Sequence, residues 1–445
     1  MIKIIDLVIY TKKLLHLFIN NINKILKINV FTLYMWKING KIYDLTNFLD
    51  KHPGGRKILE VCEGNHDLTP SFESYHAMCD MNKIKKIMEK YEISTCEPSI
   101  FTFDENGFYK TLQKRVNDTF YKKNYKVEYW GILKSLLQFS IFVFFFFNSF
   151  YVHSNNMIYR CFSSGISGHF IIQVGFCVMH DASHFAVSNK SYINEFLCNS
   201  VNAIFLWDGP LWLQHHAFRH HAFTGDKDLD PDTIHFKPFY RKIKDDNGKK
   251  YLQISKKFPK TITLFTSCIF PGMFLGQMNS YILWLIRGHL WKMTLHTAYK
   301  ISIWQTMLKL FMIFSFFYGQ SFLVFFIYIF MTNISYFLCI IPDHDTFETC
   351  KNRSDTKKKQ DWGELQVRHS GNFSTQNDLV CYMFGGINYQ IEHHLFPTIS
   401  HLHYHKIKPI VQQTCKEFDI PYVHFDSVFS ALLSGLENYS NVANL

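Results

Sequence analysis

Long apolar segments limit what this chain of 445 residues can fold into. A membrane span needs about 20 mostly apolar residues, and Trp130–Val152 meets this requirement. Met157–Met179 is a weaker candidate, since Arg160 and other polar residues interrupt it. Ile301–Tyr318 and Ser321–Ile341 form a second candidate pair. The sequence therefore predicts an α-helical membrane protein with about four transmembrane helices.

The basic residues indicate how these helices are oriented. Six Lys and Arg residues lie between positions 110 and 126, before the first span, and the segment 219–260 is also rich in them. The loop Tyr151–Met157 contains none. Because cytosolic loops carry an excess of Lys and Arg, we expect four spans with both termini in the cytosol. A complete extra span at Thr261–Ile286 would separate the histidines described below, so we expect that stretch to be interfacial or re-entrant.

Charge and cysteine content narrow the class of protein further. The net charge is +11, with 47 Lys and Arg against 36 Asp and Glu. In a soluble protein this balance would favour nucleic-acid binding. Here the Lys runs flank apolar segments, so the expected partner is the anionic surface of a lipid bilayer and no nucleic acid. The 11 cysteines form no CxxC pair, which favours reduced thiols in a reducing compartment.

Three clusters of candidate metal ligands accompany the apolar segments. They are His180 with His184, His216 with His220 and His221, and Gln390 with His393 and His394. Residues three or four apart on a helix share a face, so imidazoles at these spacings can converge on one metal. Imidazole binds iron, copper, zinc and nickel, and the spacing alone leaves the metal open.

Adjacent histidines in the second cluster leave two assignments open. The spacing to His220 favours His216 as the ligand, at i and i+4, with His215 in a supporting role. The reverse assignment, with His215 as the ligand, is the alternative. A structural or supporting role is expected for three further histidines, which are spaced two apart after the third cluster: His401, His403 and His405.

A fourth histidine pattern lies near the N-terminus. His52 opens a His-Pro-Gly-Gly turn after two strand-like pieces, and His76 follows 24 residues later. Across residues 31–95 this pattern resembles cytochrome b5, which predicts a small α+β domain. The resemblance implies a haem b held between two axial imidazoles, those of His52 and His76. Two such ligands leave no open coordination position, so the haem would carry single electrons instead of binding oxygen.

Residues from about 107 to 430 resemble the membrane fatty acid desaturases. The most specific stretch is Gly385–Pro397, which contains the third cluster. Asp230-Pro-Asp232 fits the surroundings of the second cluster. Many relatives carry histidine where this chain has Gln390. A glutamine at this position together with a fused haem domain resembles the pattern of the front-end desaturases.

The resemblance implies a non-haem di-iron site in a cytosolic helical domain. Its implied metal ligands and catalytic residues are His180, His184, His216, His220, His221, Gln390, His393 and His394. Desaturases often take a further metal ligand from the region after the last span, where His344 lies, although a solvated loop histidine is the alternative there. The implied organisation is an N-terminal extension at 1–30, a haem domain at 31–95, a linker at 96–106 and a desaturase domain at 107–445.

The implied activity is that of an oxidoreductase, an acyl-lipid or acyl-CoA desaturase of the endoplasmic reticulum membrane. O₂ would be the oxidant, and electrons would reach the iron through the haem. The chain has no glycine-rich dinucleotide fingerprint, so an NAD(P)H-dependent cytochrome b5 reductase is the expected electron donor. The alternatives are a sphingolipid long-chain-base desaturase or hydroxylase and, in a different class, a non-enzymatic membrane haem and iron electron-transfer protein.

Overall fold

The structure is a computed structural model and describes residues 35–443 except 63, 65, 153–154, 235–256, 259, 262–275 and 297–298. The predicted extension at 1–30 lies outside the described residues. So does most of the stretch Thr261–Ile286, for which an interfacial or re-entrant position stays a prediction. The described part of the chain is mostly helical, as predicted.

The N-terminal domain combines a small antiparallel sheet with short helices. Strand Lys41–Asp44 pairs on one side with Met35–Ile38 and on the other with Glu92–Thr95. The helices that follow the sheet are Arg56–Cys62, Thr69–Tyr75 and Met81–Met88, with 3₁₀ turns at Thr46–Lys51 and Glu89–Tyr91. Trp36, Leu49 and Leu68 form the centre of its apolar core. The predicted α+β class of this domain matches the structure.

Three helices in the described part of the chain are long and apolar enough to cross a membrane. They span Tyr129–Phe150, Met157–Ser183 and Phe322–Asn352, with 22, 27 and 31 residues. The fourth predicted span corresponds to Ile303–Tyr318, an apolar helix of 16 residues that falls short of the usual length. The structure therefore supports an integral membrane protein, with three candidate spans and one shorter apolar helix.

The remaining described elements are shorter helices and strands that precede, connect and follow these helices in the chain. The further α-helices are Phe108–Thr119, Ser191–Ile204, Gly209–Trp212, Gln277–Arg287, Trp362–His369, Asp378–Phe384, Gln390–Leu395, Tyr404–Glu417 and Val428–Ala443, with 3₁₀ turns at Pro231–Ile234, Ile387–Tyr389 and His401–His403. Short strands pair Phe101–Thr102 with Gln360–Asp361 and Gly371–Phe373 with Val423–Phe425 in parallel, and His289–Leu290 with Met293–Thr294 antiparallel. The parallel pairs join segments that are far apart in the sequence.

Two stretches of π-helix carry the first two histidine clusters. They span Gly175–His180 and Leu213–His220. A π-helix closes its hydrogen bonds between residues five apart instead of four, and such stretches are frequent at functional sites. In the second stretch the backbone N–H of His221 donates to the carbonyl oxygen of His216 at 3.1 Å. This winding changes which histidines of the second cluster lie together.

Candidate metal centre and haem cavity

Five buried histidines converge from all three sequence clusters. Their ring nitrogens lie within 4.8 Å of one another, and the residues are His180, His184, His216, His221 and His393. Nε2 of His221 lies 3.0 Å from Nε2 of His393 and 3.3 Å from Nε2 of His216. Two imidazole nitrogens that bind the same metal ion at about 2.1 Å, with their bonds to the metal at right angles, are roughly 3 Å apart. The geometry of this group therefore fits a single ion.

A second group lies beside the first. It consists of His220, His344 and His394, whose ring nitrogens also fall within 4.8 Å of one another. The side-chain amide nitrogen of Gln390 lies 2.8 Å from Nε2 of His344. The rings of His221 and His394, one from each group, stack at a centroid distance of 4.1 Å. Two adjacent ion sites are thus built from eight histidines, with Gln390 at the edge of the second.

The second sequence cluster divides between these two groups, and the i, i+4 residues His216 and His220 lie in different ones. His216 shares a group with His221, five residues later, whereas His220 joins His344 and His394. The π-helical winding accounts for the difference, because residues five apart follow one another along its axis. His215 lies outside both groups and its Nε2 is 2.7 Å from a carboxylate oxygen of Asp232.

Several buried polar atoms of the site have no hydrogen-bond partner among the described residues, and this bears on whether metal ions fit there. Nε2 of His184, Nε2 of His394, Oε1 of Gln390 and both ring nitrogens of His180 are buried without a hydrogen-bond partner among the described residues. A buried polar atom without a partner costs free energy. Metal ions would satisfy Oε1 of Gln390, Nε2 of His184 and of His394, and one of the two ring nitrogens of His180, so the residues present fit a metal centre.

Four imidazoles outside the membrane helices are held in the neutral form that binds metal. Burial, followed by the charge of neighbouring histidines, lowers the pKa of all four well below the ordinary histidine value: His216, His221, His393 and His394. A neutral imidazole has one N–H and one lone pair. Each ring can therefore bind a metal through one nitrogen and donate a hydrogen bond from the other.

Partners for the other ring nitrogen come from residues that surround the histidines. Nδ1 of His394 lies 2.7 Å from Oε1 of Gln366, and Nδ1 of His393 lies 3.0 Å from the hydroxyl of Tyr404. Nδ1 of His344 donates to the carbonyl oxygen of His369 at 2.8 Å. Such contacts fix the tautomer and orientation of a ligand. Sequence reasoning missed Gln366, Tyr404 and His369, which carry no metal-ligand spacing of their own.

Carboxylates complete the surroundings of the site. Nδ1 of His220 lies 3.2 Å from a carboxylate oxygen of Asp230, a residue that the sequence had placed near the second cluster. Asp181, which follows His180, accepts a hydrogen bond from Nδ1 of His401 at 2.8 Å. His401 thus takes a supporting position. His403 is also buried and bonds the backbone of Lys126, whereas His405 is exposed.

A cavity of about 590 Å³ lies between His52 and His76 in the N-terminal domain. The two ring centroids are 6.3 Å apart, which leaves room for one iron between them. Nδ1 of His76 donates to the carbonyl oxygen of Phe72 at 2.7 Å, and Nδ1 of His52 lies 3.3 Å from that of Gly55. Nε2 of each ring therefore remains to bind iron. Burial lowers the pKa of His52 to about 4 and also lowers that of His76, so both rings are neutral.

The His-Pro-Gly-Gly turn fits this cavity for steric reasons. Gly55 has φ +92°, a conformation that residues with a Cβ rarely adopt. A Cβ on Gly54 would lie 2.7 Å from Cε1 of His52 and would displace the ring. The cavity walls are mainly apolar and include Leu45 and Phe48. These features fit a haem.

Comparisons with known proteins agree with this geometry. Residues 161–426 match the family model described as "Fatty acid desaturase", and residues 33–97 match "Cytochrome b5-like Heme/Steroid binding domain". The chain is 26% identical to "Probable Delta(5) fatty acid desaturase C" of Dictyostelium discoideum, over 92% of this chain and 91% of the relative. It is 27% identical to "Acyl-lipid (8-3)-desaturase" of Physcomitrium patens over 88% and 85%, and 27% identical to the Mortierella alpina protein of the same name over 90% and 92%.

These matches confirm the predicted recognition, enzyme class and cofactors. The cytochrome b5-like match implies haem, and the desaturase match together with the two histidine groups implies a di-iron centre. The matched desaturase region covers more than half of the chain. The chain therefore belongs to the fatty acid desaturase family, as a membrane oxidoreductase with a cytochrome b5-like domain fused at its N-terminus.

Proposed function

We propose that this protein is a front-end acyl desaturase. It introduces a cis double bond between an existing double bond and the carboxyl end of a fatty acyl chain, with O₂ as the oxidant. The observation that carries the proposal is that one chain holds both a haem cavity and a buried two-group histidine site, with Tyr75 lining the cavity and contacting His184. The names of similar proteins, which include Delta(5) and (8-3) desaturases, support this class of reaction.

In this proposal the two histidine groups hold one iron each. His180, His184, His216, His221 and His393 ligate the first ion, and His220, His344, His394 and Gln390 surround the second. When bound, the two irons supply the oxidising power needed to remove hydrogen from two adjacent saturated carbons. His215 serves as a supporting residue, because its ring faces Asp232 and lies outside both groups.

The surrounding residues keep the proposed site dry, neutral and rigid. His393 and His394 are at most 2% exposed, so bulk water is excluded from the ligands. Asp230, Gln366 and Tyr404 each hold the Nδ1 side of one ligand and thereby direct its Nε2 inward. A ligand set of neutral imidazoles leaves most of the positive charge on the metal ions, which favours a strongly oxidising centre.

The fused haem domain is the proposed immediate electron donor. Its contacts with the desaturase domain include an ion pair between Lys57 and Glu195, and a hydrogen bond from the Gln214 amide to the carbonyl oxygen of Val61 at 3.2 Å. Tethering replaces a bimolecular encounter with an intramolecular one and so raises the effective concentration of the donor. A separate NAD(P)H-dependent cytochrome b5 reductase supplies the electrons that reduce the haem.

The proposed location is the endoplasmic reticulum membrane, with the termini and the metal site on the cytosolic side. The distribution of Lys and Arg around the apolar segments supports this orientation. The proposed domains keep the predicted limits of 31–95 for the haem domain, 96–106 for the linker and 107–445 for the desaturase domain. A glycosylation-site scan of the loop at 151–157 and of the termini would test the orientation.

Lipid analysis tests the proposed reaction directly. The chain is expressed in a host that lacks polyunsaturated fatty acids, which is fed saturated, monounsaturated and polyunsaturated acids separately. Mass spectrometry should find a new double bond on the carboxyl side of an existing one. The His393→Ala chain should form none, whereas the His405→Ala chain, changed at an exposed histidine, should match the wild type.

Two other outcomes would contradict the proposal. A change confined to long-chain bases would make the protein a sphingolipid desaturase or hydroxylase. A protein loaded with both haem and iron that leaves every lipid class unchanged would support the non-enzymatic electron-transfer alternative.

A further inference from the structure

One hydrogen bond joins the haem domain to the five-histidine group. The hydroxyl of Tyr75 lies 2.7 Å from Nδ1 of His184, and Tyr75 directly precedes His76 in the chain. We infer that Tyr75 is a positioning residue that holds His184 in place and links the haem ligand His76 to the di-iron centre. The inference rests on the proposed function, because it takes His184 as an iron ligand.

The position of Tyr75 is fixed by aromatic contacts on the desaturase side. Its ring centroid lies 6.0 Å from that of His184 and 6.1 Å from that of Phe218. Phe218 belongs to the π-helix of the second histidine cluster, yet it packs into the apolar core of the haem domain and lines the haem cavity. The Tyr75 hydroxyl therefore sits inside a packed interface between the two domains.

The hydrogen-bond chemistry of His184 matches this role. Its Nε2 is buried without a partner in the described part of the chain, as expected of a nitrogen reserved for metal. A neutral imidazole bound through Nε2 carries its proton on Nδ1, where it can donate to the Tyr75 oxygen. His393 and His394 take their Nδ1 partners from the desaturase domain itself, whereas His184 takes its partner from the haem domain.

The contact also provides a continuous path between the two cofactor sites. From the ring of His76 the path runs through one peptide unit to Tyr75, and from its hydroxyl across one hydrogen bond to His184. Electronic coupling decays less steeply through bonds than across gaps between atoms. This route crosses only a single non-covalent contact, so it favours electron transfer from the docked haem.

The electron balance of desaturation is compatible with this route. Each turnover takes two hydrogen atoms from the substrate and also needs two electrons and two protons to convert O₂ into two waters. The electrons arrive one at a time from the reductase. With each transfer one ferrous haem is oxidised to ferric and one ferric ion of the di-iron centre is reduced to ferrous. Tyr75 accepts the hydrogen bond from His184, keeps its own O–H proton and is neither oxidised nor consumed.

The test compares Tyr75→Phe with the wild type in the full-length protein loaded with haem and iron. Phenylalanine keeps the ring contact with Phe218 and removes only the hydroxyl. The matched control is Tyr91→Phe, which removes a hydroxyl elsewhere on the haem domain, where the ring packs against Phe48. The haem is reduced under argon with limiting dithionite, and its reoxidation by the ferric di-iron centre is followed by stopped-flow absorbance.

We expect haem content and haem midpoint potential to be unchanged in both variants. Haem reoxidation should be about 10- to 100-fold slower in Tyr75→Phe, the range found when a supporting partner of a metal ligand is lost. It should be unchanged in Tyr91→Phe. A fall in the iron content of Tyr75→Phe alone would support the positioning of His184.

Other outcomes separate failure of the inference from failure of the proposed function. Wild-type iron content and wild-type reoxidation in Tyr75→Phe would overturn the role of Tyr75 alone, provided that His184→Ala loses iron. A His184→Ala chain that retains two irons would instead overturn the ligand assignment on which both proposals depend.

Discussion

Gln366 and His394 form a hydrogen bond of 2.7 Å between Oε1 and Nδ1, and the Thr224 hydroxyl donates to the same oxygen at 2.8 Å. Gln366 is fully buried. Its position beside His394, a proposed ligand of the second histidine group, makes it a residue that would fix the tautomer of that ligand. The contact joins helix Trp362–His369 to the third histidine cluster.

Replacement of Gln366 by leucine should therefore weaken the metal site. Leucine has a similar volume but cannot accept the Nδ1 proton of His394, so the ring is free to rotate. We expect iron affinity or desaturation to fall by about 10- to 100-fold, measured as iron per chain and product per enzyme. Gln376→Leu, at an exposed position, is the control and should match the wild type. Full iron content and activity in Gln366→Leu would show that the contact is dispensable.

Loss of a haem ligand should separate the two cofactors. His52→Ala removes one of the two imidazoles proposed to hold the haem, so the chain should lose haem and its desaturation should fall to background. The histidine groups lie in the other domain, and the iron content should therefore stay at the wild-type value. The two quantities are measured by haem absorbance and by metal analysis of purified protein. A His52→Ala chain that desaturates normally without haem would rule out the relay through the fused domain.

The sequence predicted the candidate ligands better than their grouping. The three clusters are visible from residue type and spacing, whereas His344 was suggested by the resemblance to desaturases, and the structure brings all of them together. Their division into groups follows from the π-helix Leu213–His220, which pairs His216 with His221 instead of His220. A deviation of this kind arises from tertiary packing, and no residue pattern marked it.

The supporting partners could not be predicted for a related reason. Gln366 lies 28 positions from His394 in the chain, and Tyr75 lies 109 positions from His184. Glutamine and tyrosine have no spacing that distinguishes a metal-site partner from an ordinary polar residue. The fold alone brings them to the histidines. The predicted span Ile301–Tyr318 stays a prediction, since its apolar helix is present but has only 16 residues.

A buried ion pair fastens the haem domain to helix Phe108–Thr119. Nζ of Lys110 lies 2.6 Å from a carboxylate oxygen of Glu73, and the two side chains are 12% and 4% exposed. Removal of one partner from a buried pair leaves an unpaired charge and costs about 3–5 kcal/mol. We expect Lys110→Met to lower the free energy of unfolding of the haem domain by an amount in this range, measured by urea titration of haem absorbance.

An exposed pair on the same helix provides the control. Arg115 and Glu417 form an ion pair at 2.6 Å, with side chains 36% and 39% exposed. Exposed pairs contribute about 0–1 kcal/mol because solvent screens them. Arg115→Met should therefore change the same free energy much less than Lys110→Met. Equal effects of the two replacements would mean that the buried pair does not hold the domains together.

A glycine before the third histidine cluster links backbone conformation to the metal site. Gly386 has φ +77°, and a Cβ on this residue would lie 2.3 Å from Cβ of His401. His401 in turn donates to Asp181, which follows the proposed ligand His180. Alanine at position 386 should push His401 away from this carboxylate and disturb the first histidine group.

We expect Gly386→Ala to lower both thermal stability and iron content. Gly288 separates the two causes, since it has nearly the same φ, +73°, but nothing lies within 4 Å of the added Cβ. Gly288→Ala should therefore show only the cost of the left-handed backbone, about 1–2 kcal/mol, with the iron content unchanged. Iron analysis and thermal unfolding of both variants would measure the two effects. Gly386→Ala could instead lose stability and keep its iron. The displacement of His401 would then not reach the proposed metal ligands, and the glycine would stabilise the backbone turn alone.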